Sequence, residues 1–179
     1  RAHDSLNGDE LWKSDGTEAG TVMVKDIRPY YDSSSPDELT NDNGRLYFTA
    51  SDNSHGRELW TSDGSGTGTV MVKDINPSGS SNPSYLTVVD GMLYFMASDG
   101  TAGYELWMSD GTAEGTVPLT SHPTQPYLFR TVWTWMAPLG DQLLFAANEP
   151  GAGTVSVQAL WLTDGTREGT FRLPEAQQP

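Results

Sequence analysis

An all-β fold built from repeated four-stranded antiparallel units, a β-propeller or a propeller segment, is what this sequence predicts. The first observation behind it is a phrase that recurs four times. It runs Glu10-Leu11-Trp12-Lys13-Ser14-Asp15-Gly16-Thr17 followed by Gly20-Thr21, and returns as Glu58-Leu59-Trp60-Thr61-Ser62-Asp63-Gly64 with Gly68-Thr69. The third copy is Glu105-Leu106-Trp107-Met108-Ser109-Asp110-Gly111-Thr112 with Gly115-Thr116, and the fourth Ala159-Leu160-Trp161-Leu162-Thr163-Asp164-Gly165-Thr166 with Gly169-Thr170. The second observation is the spacing of the four tryptophans, 48, 47 and 54 residues, a period that signals stacked copies of one supersecondary unit. The third is the punctuation: turn residues separate short strand patterns every 8–12 residues or so, and no 3.6-residue periodicity is present. A β-sandwich would also be all-β, but it leaves the fixed recurrence unexplained. Four-stranded sheets repeating at 40–50 residues are propeller blades.

The elements follow in order within one unit. A short opening strand comes first, at Asp37–Thr40 and at Ser84–Val89. A turn follows at Asp42-Asn43-Gly44 and at Asp90-Gly91, where Asp or Asn before Gly supplies the positive φ of a tight hairpin. The second strand is strongly apolar: Arg45-Leu46-Tyr47-Phe48-Thr49-Ala50, Met92-Leu93-Tyr94-Phe95-Met96-Ala97 and Gln142-Leu143-Leu144-Phe145-Ala146-Ala147. The Glu-Leu-Trp strand is third. The Ser-Asp-Gly-Thr turn then reverses the chain into a fourth strand, Thr69 to Ile75, which Pro77 ends.

On this pattern Arg1 to Leu6 aligns with the loop before Glu-Leu-Trp, so the first unit has only its last two strands. The chain divides into a half blade at 1–29, blades at 30–77 and 78–122, and a divergent blade at 123–179. That makes about three and a half blades and 14 strands. An open half blade exposes strand edges, which proteins avoid. The expected partners are therefore further blades, supplied in cis or by another chain of the same or a different kind.

Composition narrows the function. A net charge of −14 repels phosphates and anionic lipid surfaces, which argues against nucleic acid and membrane binding. No run of 18 apolar residues is present, so no membrane insertion is expected. The absence of cysteine removes disulfides, thiol catalysis and thiolate metal sites.

The phrase Glu-Leu-Trp-x-x-Asp-Gly-Thr-x-x-Gly-Thr resembles the bacterial ELWxxDGTxxGT repeat family. Copies one and three match it fully, copy two departs at Ser65 and copy four at Ala159. The resemblance implies propeller-like arrays in large secreted or surface proteins, with no general activity assigned. Secretion or cell-surface display is the expected location.

Several residues are candidate sites. Asp15, Asp63, Asp110 and Asp164 each precede Gly in a tight turn. They read as Asx-turn acceptors, with calcium ligation as the alternative, since hard cations take carboxylate oxygens. No other cofactor is expected. Trp12, Trp60, Trp107 and Trp161 read as packing between blades, with a ring of sugar-binding platforms as the alternative. Glu10, Glu58 and Glu105 are expected on the opposite face, pairing with Lys25 or Lys73 or with a polar ligand. The last unit opens with Tyr127 to Met136, where Phe129, Arg130, Trp133 and Trp135 concentrate aromatic and basic groups, while Thr87 and Val89 are taken as their small counterparts elsewhere. Such a cluster suits an interface, a sugar or an apolar small molecule.

Catalysis finds no motif here. His3, His55 and His122 lie in separate loops, no Gly-x-Ser-x-Gly elbow occurs, and Gly64-Ser65-Gly66 belongs to the repeated turn. The expectation is thus a non-catalytic binding or adhesion module, lectin-like and multivalent for carbohydrate or another surface ligand. The alternatives are a carrier of an apolar small molecule or pigment at a subunit interface, and a purely structural assembly repeat.

Overall fold

The computed structural model describes residues 1–101, 103–120, 135–150 and 156–174, with the side chains of 148–150 and 156–158 left aside. The described residues form 15 strands in four antiparallel sheets, and none forms a helix. The first sheet holds β1 (Ala2–Asp4), β2 (Gly8–Lys13) and β3 (Val22–Lys25). The second holds β4 (Asp37–Asp42), β5 (Arg45–Ser51), β6 (Arg57–Ser62) and β7 (Val70–Lys73). The third holds β8 (Ser84–Val89), β9 (Met92–Ser98), β10 (Tyr104–Ser109) and β11 (Val117–Pro118). The fourth holds β12 (Met136–Leu139), β13 (Gln142–Pro150), β14 (Ser156–Thr163) and β15 (Phe171–Arg172). In every sheet the strands lie in chain order, each paired with its sequence neighbour.

One expectation needs correction. Ala2–Asp4 is a strand and not a loop: Ala2 stands opposite Glu10 and His3 opposite Asp9. The first sheet therefore has three strands. The reason lies in the next unit, where Ala50 and Ser51 pair with Glu58 and Arg57 in the same register. Ala2 and His3 are their equivalents.

Hairpin chemistry sets the pairing. Asn43 and Gly44 both adopt positive φ, 49° and 90°, and Asp90 and Gly91 do the same at 49° and 76°. A two-residue turn of this kind matches the right-handed twist of the strands it joins. Both opening strands also carry an irregularity before the turn, with Glu38 and Tyr85 at φ 56° and 58°.

Side-chain alternation then stacks the sheets. On β5, Tyr47 packs with Leu93, Phe95 and Trp107 of the third sheet, whereas Phe48 and Ala50 pack with Leu11 and Ile27 on the first-sheet side. On β9, Phe95 faces the second sheet and Tyr94 and Met96 meet Leu143 and Phe145 of the fourth. A strand with a sheet on each side buries both of its faces, which is why these segments read as continuous apolar runs rather than as alternating ones. Three apolar clusters result, one between each pair of successive sheets. No helix among the described residues is long and apolar enough to cross a membrane.

The register of the last sheet corrects a second expectation. Val89 pairs with Met92 directly before the turn, and its counterpart there is Leu139, opposite Gln142. Thr87 likewise corresponds to Ala137. The equivalents of Thr87 and Val89 are thus Ala137 and Leu139, not tryptophans, because register is counted from the hairpin turn.

Candidate functional site

The repeated Asp-Gly-Thr turn is a closed polar unit. Asp15 Oδ1 accepts from both the Thr17 amide (2.9 Å) and the Thr17 hydroxyl (2.7 Å). The Thr17 hydroxyl oxygen accepts the Gly20 amide, and Thr21 Oγ1 donates to the Thr17 carbonyl. Asp63, Asp110 and Asp164 repeat the scheme, with Ser65 standing in for threonine in the second copy. The donated hydroxyl is the main reason each of these carboxyls is held below the ordinary aspartate range. Each Asp side chain also folds against the glycine five positions on. A Cβ added at Gly20, Gly68, Gly115 or Gly169 would overlap that carboxylate. Gly68→Ala is accordingly expected to cost about 1–3 kcal/mol, the scale of an overpacked contact. Chemical denaturation would measure it, and an unchanged midpoint would refute this account of the motif. As for calcium, one oxygen of each Asp is already engaged in its turn, and no group of three or more metal-ligating side chains occurs among the described residues.

The tryptophans take up packing positions. Trp60 and Trp107 are 6% and 5% exposed, and Trp107 Nε1 donates to the Ala97 carbonyl at 3.2 Å. Trp60 lies 6.5 Å from the Phe48 ring, and Trp161 stacks on Phe145 at 6.2 Å. Trp12 and Trp161 are half-buried. Neither Trp60 nor Trp107 offers an open ring face to a solute.

The glutamates correct the expectation placed on them. Glu10 and Trp12 are two positions apart on one strand, so they share a face rather than opposing each other. Glu10 is fully buried. Its carboxylate accepts the Ile27 amide (3.0 Å), the Arg28 amide (3.3 Å), the Ser34 amide (3.0 Å) and the Ser34 hydroxyl (2.5 Å). Glu58 does the same for the Ile75 amide, the Ser81 amide and the Ser81 hydroxyl. Lys25 and Lys73 reach instead to the carbonyls of Thr69 and Thr116 in the following sheet. Each glutamate is a clamp on both feet of the loop that leads to the next sheet. Glu105 is buried at the same position.

What the clamp displays differs between units. In the second unit the loop tip carries Ser78 and Gly79. In the first it carries Tyr30, Tyr31 and Asp32. Tyr30 and Tyr31 are 84% and 74% exposed, the two most exposed large apolar side chains among the described residues, and both hold positive φ, 79° and 67°. A tyrosine in that region costs about 1–3 kcal/mol and persists only where its surroundings over-determine it. The Glu10 bonds on one side and the Asp9 amide donating to Ser33 Oγ (3.0 Å) on the other supply that determination. Polar groups flank the rings: Arg28 Nε donates to Asn53 Oδ1 at 3.1 Å and lies 3.6 Å from Asp32 Oδ2. Sequence reasoning missed this pair. The available signal was two adjacent aromatics in a linker whose counterpart is Ser-Gly.

Of the aromatic cluster in the last unit, Phe129, Arg130 and Trp133 lie outside the described residues. Trp135 lies at their edge, 40% exposed, with its carbonyl accepting the Ala146 amide at 3.4 Å.

No protein-family model matches the chain, and no curated protein matches it. Among solved structures it is similar to the GH43B protein of the Bacteroides ovatus xyloglucan PUL, at 17% identity and a TM-score of 0.42, covering 79% of this chain and 28% of that one. It is also similar to an alpha-L-arabinofuranosidase from Clostridium thermocellum, at 14% identity and a TM-score of 0.35, covering 79% of this chain and 51% of that one. The chain thus spans at most about half the length of these structures. The expectation that the chain is not an enzyme is corrected by this finding, since a structure it resembles is a glycosidase. Neither match assigns an activity to this chain.

Proposed function

We propose that the chain is a β-propeller segment of about three and a half blades that binds carbohydrate at the clamped loop between its first two sheets. One observation carries the reading: two adjacent tyrosines stand almost fully exposed on a loop whose feet are fixed by a buried carboxylate. Tyrosine offers a flat apolar face and a polar tip, which suits a sugar ring, with its C–H face and its hydroxyl rim. Asp32, Arg28 and Asn53 stand close enough to bond those hydroxyls. The platform occurs once, because the equivalent tip is Ser78-Gly79. This departs from the multivalent arrangement of one site per repeat. Prefixed loop feet lower the ordering cost of binding.

The test is a glycan array followed by titration calorimetry on the best ligand. The Tyr30→Ala/Tyr31→Ala double variant is expected to bind at least about tenfold more weakly, since aromatic contacts contribute roughly 0.5–1.5 kcal/mol each. Tyr104→Ala, on a partly exposed strand position, serves as the control and leaves binding unchanged. Equal affinity of the double variant and the parent would sink the proposal. A second reading, a structural repeat whose role is assembly, is favoured by the way the motif's Glu, Asp and Thr are spent on internal bonds. An array with no bound glycan would select it.

A further inference from the structure

The first sheet differs from its neighbours at one place. On the β1 side, β2 is paired only at Gly8, Asp9 and Glu10, and no strand among the described residues stands opposite Leu11, Trp12 or Lys13. In the second sheet the matching positions Leu59, Trp60 and Thr61 face Thr49, Phe48 and Tyr47. In the third, Trp107 and Met108 face Phe95 and Tyr94.

The consequence appears across the sheet boundary. A Cβ added at Gly111 would come 2.6 Å from the Tyr47 hydroxyl oxygen, and one at Gly165 would come 2.7 Å from that of Tyr94. Each tyrosine therefore seats its hydroxyl on the glycine of the next unit's Asp-Gly turn. Gly64 is the corresponding glycine facing the first sheet, and a Cβ there would meet nothing within 4 Å. A groove lies there instead, lined by Leu11, Trp12, Lys13, Leu46, Asp63 and Gly64. Lys13 Nζ crosses it to donate to the Gly64 carbonyl at 2.8 Å.

We propose that this groove is the seat of a further β-strand of the Leu-Tyr-Phe pattern, running antiparallel to β2 and in line with β1. The two internal precedents define the occupant. Its tyrosine lies opposite Lys13 with the hydroxyl against Gly64, and its phenylalanine lies opposite Trp12, as Phe48 lies opposite Trp60. The register already set by Ala2 and Glu10 runs on to Leu11, Trp12 and Lys13 without a change of direction. The strand is therefore continuous with β1 rather than a separate peptide. It removes an exposed strand edge and covers Trp12, which is half-buried where Trp60 and Trp107 are buried.

The test compares two chains extended directly before Arg1, one by Gly-Arg-Leu-Tyr-Phe and one by the polar Gly-Arg-Ser-Thr-Ser. The first is expected to melt at least about 4 °C higher than the second. It should also slow amide exchange at Trp12 and Lys13 at least about tenfold, since a paired edge opens less often. Equal melting and exchange in the two chains would overturn the proposal. Equal protection of the unextended chain by the free Gly-Arg-Leu-Tyr-Phe peptide at about 100 μM, well below the millimolar effective concentration of a short tether, would overturn continuity with β1.

Discussion

Replacing Glu58 by alanine is expected to lower the unfolding free energy by about 4 kcal/mol. Three donors depend on this one carboxylate: the Ile75 amide, the Ser81 amide and the Ser81 hydroxyl. All are buried, and each donor left without an acceptor costs roughly 1–3 kcal/mol. The sum is reduced because a water can enter the space the side chain leaves. Urea denaturation with an unchanged slope would measure the loss, and a value under about 1 kcal/mol would show that the clamp is not what holds the loop. Glu58→Gln should fall between the parent and alanine, because the amide keeps one acceptor and turns a donor toward donors.

The same pair of variants has a pH signature. Burial pushes the Glu58 carboxyl above its ordinary value of 4.5, with the Ser81 and Ile75 donors opposing. The native state therefore holds a proton over a range where the unfolded chain has released it. Stability from this group is highest below pH 4.5 and falls as pH rises through the folded value. Glu58→Gln cannot titrate and is expected to flatten that fall.

Phe95→Ala is expected to cost about 3–5 kcal/mol, the range of a fully buried ring lost from a core. Phe95 has no exposed surface and lies among Tyr47, Leu59, Ile75, Leu93 and Trp107, so its ring joins the second sheet to the third. The space is closed on both sides by sheets that cannot move together without breaking register. Phe171 is 46% exposed on β15, and Phe171→Ala should stay within about 0.5 kcal/mol of the parent. Denaturation curves for the two variants that coincide would refute the stacked-sheet core.

Much of the fold was legible in the residues. Asn43-Gly44 and Asp90-Gly91 mark hairpins because only certain residues tolerate the positive φ those turns demand. Asp15, Gly16 and Thr17 mark a turn because the Asp carboxylate bonds an amide two residues on. The short strand at Ala2–Asp4 was not legible, since three polar-flanked residues carry no period and their pairing is visible only beside Ala50 and Ser51. The candidate site was less legible still. Tyr30 and Tyr31 stand out only once the Glu10 clamp shows that they form the tip of a held loop.

By itself the sequence determined what is decided within a few positions along the chain: strand alternation, hairpin turns, the closed Asp-Gly-Thr unit and the repeat that multiplies them. Their bonds span two to five residues, so the residue types and their spacing contain the geometry. Only the tertiary structure decided what the glutamates and tryptophans do. The donors to Glu58 stand 17 and 23 residues away, and the ring that meets Trp107 on its own sheet lies across a hairpin. Those meetings depend on how one sheet lies on the next, which follows from the packing of both faces at once and not from any local run of residues.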